Sequence, residues 1–278
     1  MFSILIPTWN NLSYLKLCVE SINQHSYLPH QILLHINDGS DGTLDWAKQN
    51  GLEYTHSTTN IGICKAVNQA SKLAKSDYLV FMNDDMYVLP KWDTILLSEI
   101  AKLNTDCFML SSTMIEPRDT GNKCVLVGDY GNGEKDFQKE KLLKEFKELK
   151  KADWSGSTWP PSVVKTQWWN KVGGYSVEFS PGMSSDDDFA MKMWNEGCRI
   201  YKGIGESRVY HFISKSTGRV DKNDGRKQFL QKWKMKQSTF HQFYTKRGKV
   251  YKGELREPAW SLNFGIKLIA DKMALLFS

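Results

Sequence analysis

Nothing in this 278-residue chain approaches the ~20 consecutive apolar residues of a membrane-spanning helix, and even the apolar C-terminus is interrupted by Lys267, Asp271 and Lys272. The amino end lacks the basic segment, apolar run and cleavage site of a secretory leader, because the strand-like Phe2-Ser3-Ile4-Leu5-Ile6 begins almost at once. Five cysteines (Cys18, Cys64, Cys107, Cys124, Cys198) show no paired spacing, which argues against structural zinc and a small disulfide scaffold. Reduced, mostly core cysteines and an intracellular setting are therefore expected. Internal repeats and low-complexity segments are also missing, which leaves one large domain with appendages as the expectation.

What the chain does contain is ordinary for a soluble globular protein: 41% hydrophobic and 24% charged residues. The net charge of +6 is unevenly placed, with the basic excess lying late, between Lys215 and Lys252. Such asymmetry suits either a solvated helix face or an anionic partner: nucleotide phosphates, acidic lipid headgroups or nucleic acid. No recognised nucleic-acid reading module accompanies the basic segment, so nucleic acid is not expected as a partner.

Strand-like and helix-like segments alternate through the first half, the pattern of an α/β parallel sheet covered by helices. Phe2–Ile6 reads as a strand closed by Pro7, and Leu12, Leu15, Val19 and Ile22 mark a helix to Ser26. A strand at Gln31–Ile36 runs into the turn chemistry of Asn37-Asp38-Gly39-Ser40. After a brief strand near Leu52–Thr55, Asn60-Ile61-Gly62 leads into a helix from Lys65 to Lys75. Tyr78–Met82 and Cys107–Met114 are further strands, separated by a helix from Pro90 to about Leu103. Lys135–Lys151 reads as a charged helix with a thin stripe of Phe137, Leu142, Leu143, Phe146 and Leu149, expected as an exposed insertion or lid outside the core. Trp154, Trp159, Trp168 and Trp169 suit a sugar site or a core. Asp186–Gly197 is a helix opening on three acids, and Arg226–Lys246 reads as one long basic helix. A tail helix then carries Leu262, Ile266, Ile269, Met273 and Leu276 on one stripe, which lies on a membrane, pairs with a second subunit or docks on the domain.

The chemistry-bearing positions cluster at the ends of these segments. Tyr78–Met82 ends in Asn83-Asp84-Asp85, and a buried strand that ends in carboxylates carries them to the ligand-binding edge of an open sheet. That placement suits a divalent metal and a phosphate. Asn60-Ile61-Gly62-Ile63-Cys64-Lys65-Ala66-Val67-Asn68 places a lysine at a helix amino terminus, which suits a diphosphate. Three more stretches follow the same logic of strand end or helix start: Ser3-Ile4-Leu5-Ile6-Pro7-Thr8-Trp9-Asn10, Ile36-Asn37-Asp38-Gly39-Ser40-Asp41-Gly42-Thr43, and Gly173-Gly174-Tyr175 followed by Ser184-Ser185-Asp186-Asp187-Asp188-Phe189-Ala190-Met191-Lys192. In order and spacing these stations, with Val209–Thr217 after them, resemble a family 2 glycosyltransferase of the GT-A type, from Ser3 to about Thr217.

The resemblance implies a GT-A fold: a Rossmann-like, mostly parallel sheet flanked by helices, with a helical C-terminal extension. The glycosyltransferase domain would span 1–218, with a nucleotide-binding half to about 115, an acceptor-side half from about 116 and the 135–151 insertion; 219–278 would be the extension. It further implies inverting transfer of a sugar from a nucleotide-diphosphate donor (UDP first, then GDP or dTDP) to a saccharide or lipid-linked glycan. Such work belongs to polysaccharide or glycoconjugate synthesis in the cytoplasm or at the inner face of a membrane.

By the same resemblance, Pro7, Thr8, Trp9 and Asn10 would pack around the base and ribose, with the polar contact falling to Asp38 or to Asn37 as an amide. Asn60, Gly62, Lys65 and Asn68 would meet the donor, Lys65 at its diphosphate, with Lys215 a second phosphate contact. Asp85, completed by His211, would hold Mn²⁺ or Mg²⁺, while Asn83 and Asp84 would serve the ribose or the water shell of the metal. Asp186 would be the catalytic base, with Asp187 the alternative in register and Asp188 orienting the helix or the acceptor; Trp154 and Trp159 would offer an acceptor surface. Asn37 and Asn83 stand where the family carries acids, which keeps a sugar-nucleotide-binding protein without transfer in view. A nucleotidyltransferase is the other rival, though Pro7-Thr8-Trp9-Asn10 does not supply its glycine-rich basic opening.

Overall fold

Every residue from Ser3 to Thr8 is buried, as a strand covered on both faces by helices requires. In the computed structural model, which describes residues 1–213 and 218–277, Ser3–Trp9 is β1. There follow α1 (Leu12–His25), β2 (Gln31–Asn37), α2 (Thr43–Gln49), β3 (Glu53–Ser57), α3 (Ile63–Ser71), β4 (Tyr78–Phe81), β5 (Met86–Val88), α4 (Trp92–Ile100) and β6 (Phe108–Glu116). The second half comprises β7 (Leu126–Val127), α5 (Lys139–Glu145), β8 (Trp154–Ser155), β9 (Ser162–Lys165), α6 (Thr166–Val172), α7 (Ser185–Asn195), β10 (Ile200–His211), α8 (Gly225–Trp233), α9 (Gln237–Thr239) and α10 (Leu262–Leu276). The alternation of side chains along β1 divides the core: Ile4 and Ile6 pack with Leu15, Val19 and Ile22 of α1, and Leu5 packs on the other face with Cys64 and Val67 of α3.

The strands form one sheet in the order β3-β2-β1-β4-β9-β6-β10-β5, with β7 beside β6 and β8 beside β10. Pairing is parallel from β3 to β4, and the antiparallel strands β9 and β5 make the sheet mixed beyond it. Because β9 runs opposite to both β4 and β6, and β10 is parallel to β6, the carboxyl ends of β1, β2, β4, β6 and β10 share one edge.

Three expectations change. The charged 135–151 segment is helical only over α5, and its stripe is not free: Leu142 and Phe146 are buried with Tyr87, Tyr130, Tyr210 and Phe212, because β5 and β10 leave an apolar face there. The long basic helix is broken after Trp233, where Lys234 adopts a left-handed φ of 57°, and a π-turn at Phe240–Tyr244 follows α9. Helix α10 packs on the preceding helices of the extension, through Phe264 against Phe243 and through Asp271 accepting from the Lys236 amide at 3.2 Å. The stripe from Leu262 to Leu276 faces outward. Among the described residues no helix is long and apolar enough to cross a membrane, and all five cysteines are buried and unbridged.

Candidate active site

A cleft of about 350 Å³ opens at the shared carboxyl edge. Its walls include Pro7, Thr8 and Trp9 at the end of β1, Asn37 at the end of β2, Asn60 and Gly62 before α3, and Asn83, Asp84 and Asp85 after β4. Trp159, Asp186 and His211 complete it, so residues widely separated in the chain converge on one space. Gly62 is held at φ 78° where a Cβ would lie 2.9 Å from the Pro181 backbone, so the entry to α3 needs glycine.

Strand register builds the acidic side. His211 is opposite Met86 in the β10–β5 pair, and Tyr210 is opposite Ile115 in the β10–β6 pair, which sets His211 between Asp85 and Glu116. Its Nε2 lies 3.5 Å from Asp85 Oδ2, and its Nδ1 lies 3.0 Å from Glu116 Oε1. Burial disfavours the imidazolium, but Asp85 and Glu116 outweigh it and raise the His211 pKa to about 10. Asp84 is buried beside Asp85 and accepts from Asn11 Nδ2 at 3.0 Å; burial, then the charge of Asp85, raises its pKa to about 7.

This donor set fits a hard divalent cation. Among the described residues no three His, Cys, Asp or Glu side chains form a ready metal cage, yet Mg²⁺ or Mn²⁺ bound together with phosphate oxygens and waters needs only one or two protein ligands. The Asp85–His211 pair, at 3.5 Å, would supply them once the imidazole gives up its proton. Glu116 behind the imidazole is the carboxylate that usually orients a metal-binding histidine.

The first turn of α7 distributes three consecutive acids to three places, as about 100° of rotation per residue dictates. Only Asp186 lines the cleft. Its Oδ1 accepts a 2.6 Å hydrogen bond from the Tyr175 hydroxyl, and burial, with a push from Asp187, raises its pKa to about 7 against the opposing effects of Tyr175 and Arg247. Asp187 instead meets His241 Nε2 at 2.8 Å and Gln237 Nε2 at 2.6 Å; burial opposes its ionisation, but His241 and Arg247 hold its pKa below the ordinary value. Asp188 is fully buried, accepting from Trp233 Nε1 at 2.9 Å and pairing with Lys232 Nζ at 2.8 Å. Asp187 and Asp188 therefore anchor the basic C-terminal segments, and the base and acceptor positions expected of them fall away from the cleft.

Several expected donor contacts hold the scaffold. Asn10 Nδ2 donates to Asp38 Oδ2 at 2.8 Å, both residues have positive φ, and neither lines the cleft. That bond is the main cause holding the Asp38 pKa below its ordinary value. Asn37 reaches the cleft, but its Oδ1 accepts from the Ile61 amide at 2.9 Å and its Nδ2 donates to Thr8 O at 3.3 Å, tying β1 to the chain before α3. Lys65 is exposed outside the cleft, because the buried face of α3 belongs to Cys64, Ala66 and Val67. Asn68 clamps Tyr175, donating to its carbonyl and accepting from its amide at 2.8 Å each. Trp154 is buried, stacked on Trp159 at 5.1 Å with Nε1 bonded to Thr113, and Trp159 alone of the two lines the cleft. Lys215 lies outside the described residues.

Sequence reasoning missed Glu116, Tyr175 as the partner of Asp186, and Arg219. Glu116 carried the same signal as Asp85, an acid at a strand's carboxyl end. Arg219 lies over the Trp9 ring at 4.6 Å and donates to Trp9 O at 2.7 Å; nothing local distinguishes it from its basic neighbours.

Residues 3–136 match the profile of Glycosyl transferase family 2. The glycosyltransferase GlyG of Streptococcus pneumoniae serotype 4 is 24% identical over 203 residues, covering 69% of this chain and 64% of GlyG. The S. aureus TarS fragment 1-349 superposes with a TM-score of 0.57 at 17% identity, over 76% of this chain and 60% of the fragment; that fragment has also been solved with UDP and with UDP-GlcNAc. GalNAc-T7, solved with UDP, GalNAc and Mn²⁺, superposes with a TM-score of 0.56 at 16% identity, over 81% of this chain and 44% of that protein. The chain thus spans less than two thirds of the GlyG and TarS lengths it matches first. Its sheet, helices and carboxyl-edge cleft are those of a GT-A fold, and its first half, residues 3–136, is similar to Glycosyl transferase family 2.

Proposed function

We propose that the protein is a metal-dependent inverting glycosyltransferase that moves a sugar from a nucleotide-diphosphate donor to an acceptor hydroxyl. The observation that carries this reading is the convergence on one cleft of Asp186, a carboxylate tuned near neutrality, and the Asp85–His211 pair. UDP is the favoured donor and Mn²⁺ the favoured ion, a choice supported by the UDP held by the TarS fragment and the UDP and Mn²⁺ held by GalNAc-T7.

Pro7, Thr8 and Trp9 pack the base and ribose, and Asn83 and Asp84 border the phosphates. Asp85 and His211 would hold a divalent ion, which when bound would supply charge neutralisation for the departing diphosphate. Tyr175 holds Asp186 Oδ1, leaving Oδ2 to take the acceptor proton. The hydroxyl then attacks the anomeric carbon opposite the leaving group, so configuration inverts in one displacement. Trp159, held between Trp154 and Arg247, borders the acceptor side. The acceptor is a saccharide or lipid-linked glycan. The exposed α10 stripe suits a second copy or the inner face of a membrane, where polysaccharide synthesis would place it.

The test incubates the protein and Mn²⁺ with UDP-, GDP- and dTDP-sugars and a glycan acceptor, following diphosphate release and product anomeric configuration by NMR. Acceptor-dependent UDP release with inversion is expected. Retained configuration removes Asp186 from the role of base, and pyrophosphate formation from a nucleoside triphosphate and a sugar phosphate signals nucleotidyl transfer instead.

A further inference from the structure

A second cavity, of about 540 Å³, is lined by Lys123, His241, Lys246, Arg247 and Lys249 and by no aspartate or glutamate. Some lysines elsewhere on the surface meet carboxylates, as Lys75 meets Glu53, Lys165 meets Asp106 and Lys171 meets Glu196, but none of those sits with other cations in this cavity. Among the described residues Lys123, Lys246, Arg247 and Lys249 make no ion pair. Arg247 also acts on the nearby Asp186 and Asp187, but Lys123, Lys246 and Lys249 share the concavity with it and repel one another unless an anion joins them.

Arg247 connects this cavity to the first cleft. Its guanidinium lies over the Trp159 ring, 4.0 Å from the centroid, and Trp159 lines the cleft that holds Asp186. The arginine is fixed in place: its amide donates to His241 O at 2.9 Å, and its Cα approaches Gly156 so closely that a Cβ there would lie 2.5 Å away. His241 in turn contacts Asp187, the neighbour of Asp186. A ligand seated in the first cleft beside Trp159 has its next unit in the direction of the cations.

We infer that this cavity is an acceptor subsite for an anionic group, a phosphodiester or carboxylate carried by the glycan next to the sugar that is modified. The cavity selects charged acceptors over neutral ones, and Arg247 serves both the stacking platform and the anion. The word acceptor rests on the glycosyltransferase reading; the binding does not.

Isothermal titration of the protein saturated with UDP and Mn²⁺, which fills the donor cleft, separates the outcomes. The probes are a glycerol phosphate trimer, trigalacturonate, neutral maltotriose and inorganic phosphate. The charged oligomers should bind about tenfold or more tighter than maltotriose, and Lys123→Gln/Lys246→Gln/Lys249→Gln should remove that advantage while leaving UDP affinity unchanged. Equal binding by the triple variant, equal binding of maltotriose, or competition with UDP overturns the inference. Binding of inorganic phosphate without either oligomer makes this a free-anion site and removes the acceptor. If UDP itself fails to bind, the glycosyltransferase reading falls, and the same titration without nucleotide still judges the cavity.

Discussion

The Tyr175 hydroxyl donates a 2.6 Å hydrogen bond to Asp186 Oδ1, so the carboxylate facing the cleft is steadied by a buried phenol. Asp186→Asn preserves shape and that hydrogen bond but cannot take a proton. UDP affinity should hold, while transfer should drop by about 10²–10⁴. Parallel titration and turnover measurements decide it, and transfer near the wild-type rate would dismiss Asp186 as base.

A base with a pKa of about 7 gives a rate that rises with pH through neutrality. The phenol stabilises the ionised acid, so Tyr175→Phe should move the rising limb to higher pH. A pH–rate profile whose limb does not move would attribute it to another group.

The same carboxylate strains the fold. Its pKa is raised from 3.8 to about 7, so the folded state favours the neutral acid, and stability is lost as pH rises from about 4 through 7. Asp186→Asn should therefore raise Tm above pH 7, by an amount that shrinks toward zero at pH 4. Thermal melts at both extremes test the sign, and a Tm that falls at pH 8 contradicts it.

Glu116 touches His211 from behind the cleft, so Glu116→Gln should weaken Mn²⁺ binding by about 10–100-fold without removing a ligand. Asp85→Ala should lose far more, and excess chelator should abolish transfer. Titration with Mn²⁺ in the presence of UDP, read by paramagnetic resonance, ranks the variants; equal affinities would detach Glu116 from the site.

Asn68 acts at one remove, through both hydrogen bonds to the Tyr175 backbone. Asn68→Ala should lower kcat with little change in the UDP dissociation constant, and shift the pH–rate limb in the direction Tyr175→Phe does. A pure loss of stability with an unmoved limb would leave Asn68 a scaffold residue only.

The first half of the fold was legible because buried strands write continuous apolar runs and their connecting helices write a 3.6-residue period. That Asp85 and Asp186 lie at the cleft was legible for a related reason: strand ends and helix starts are local signals. The His211–Glu116 pair was not, since it exists only through the register of β10 on β6 and β5 across 95 residues of chain. Lys65 was misplaced because motif position fixes a residue near the phosphates without fixing which face of α3 it occupies. The expected single helix over 226–246 is divided at Lys234, and its two parts are held by Asp188 and Asp187, a tertiary preference that outweighs helical periodicity.

The divergent reach of Asp186, Asp187 and Asp188 limits how this chain could be recombined with its relatives. Exchanging the segment after residue 224 for a foreign one would strand two carboxylates one and two positions from Asp186, unless the graft brought its own equivalents of Trp233, Lys232, Gln237 and His241. That segment therefore cannot be transplanted as a cassette. It must travel with the opening turn of α7.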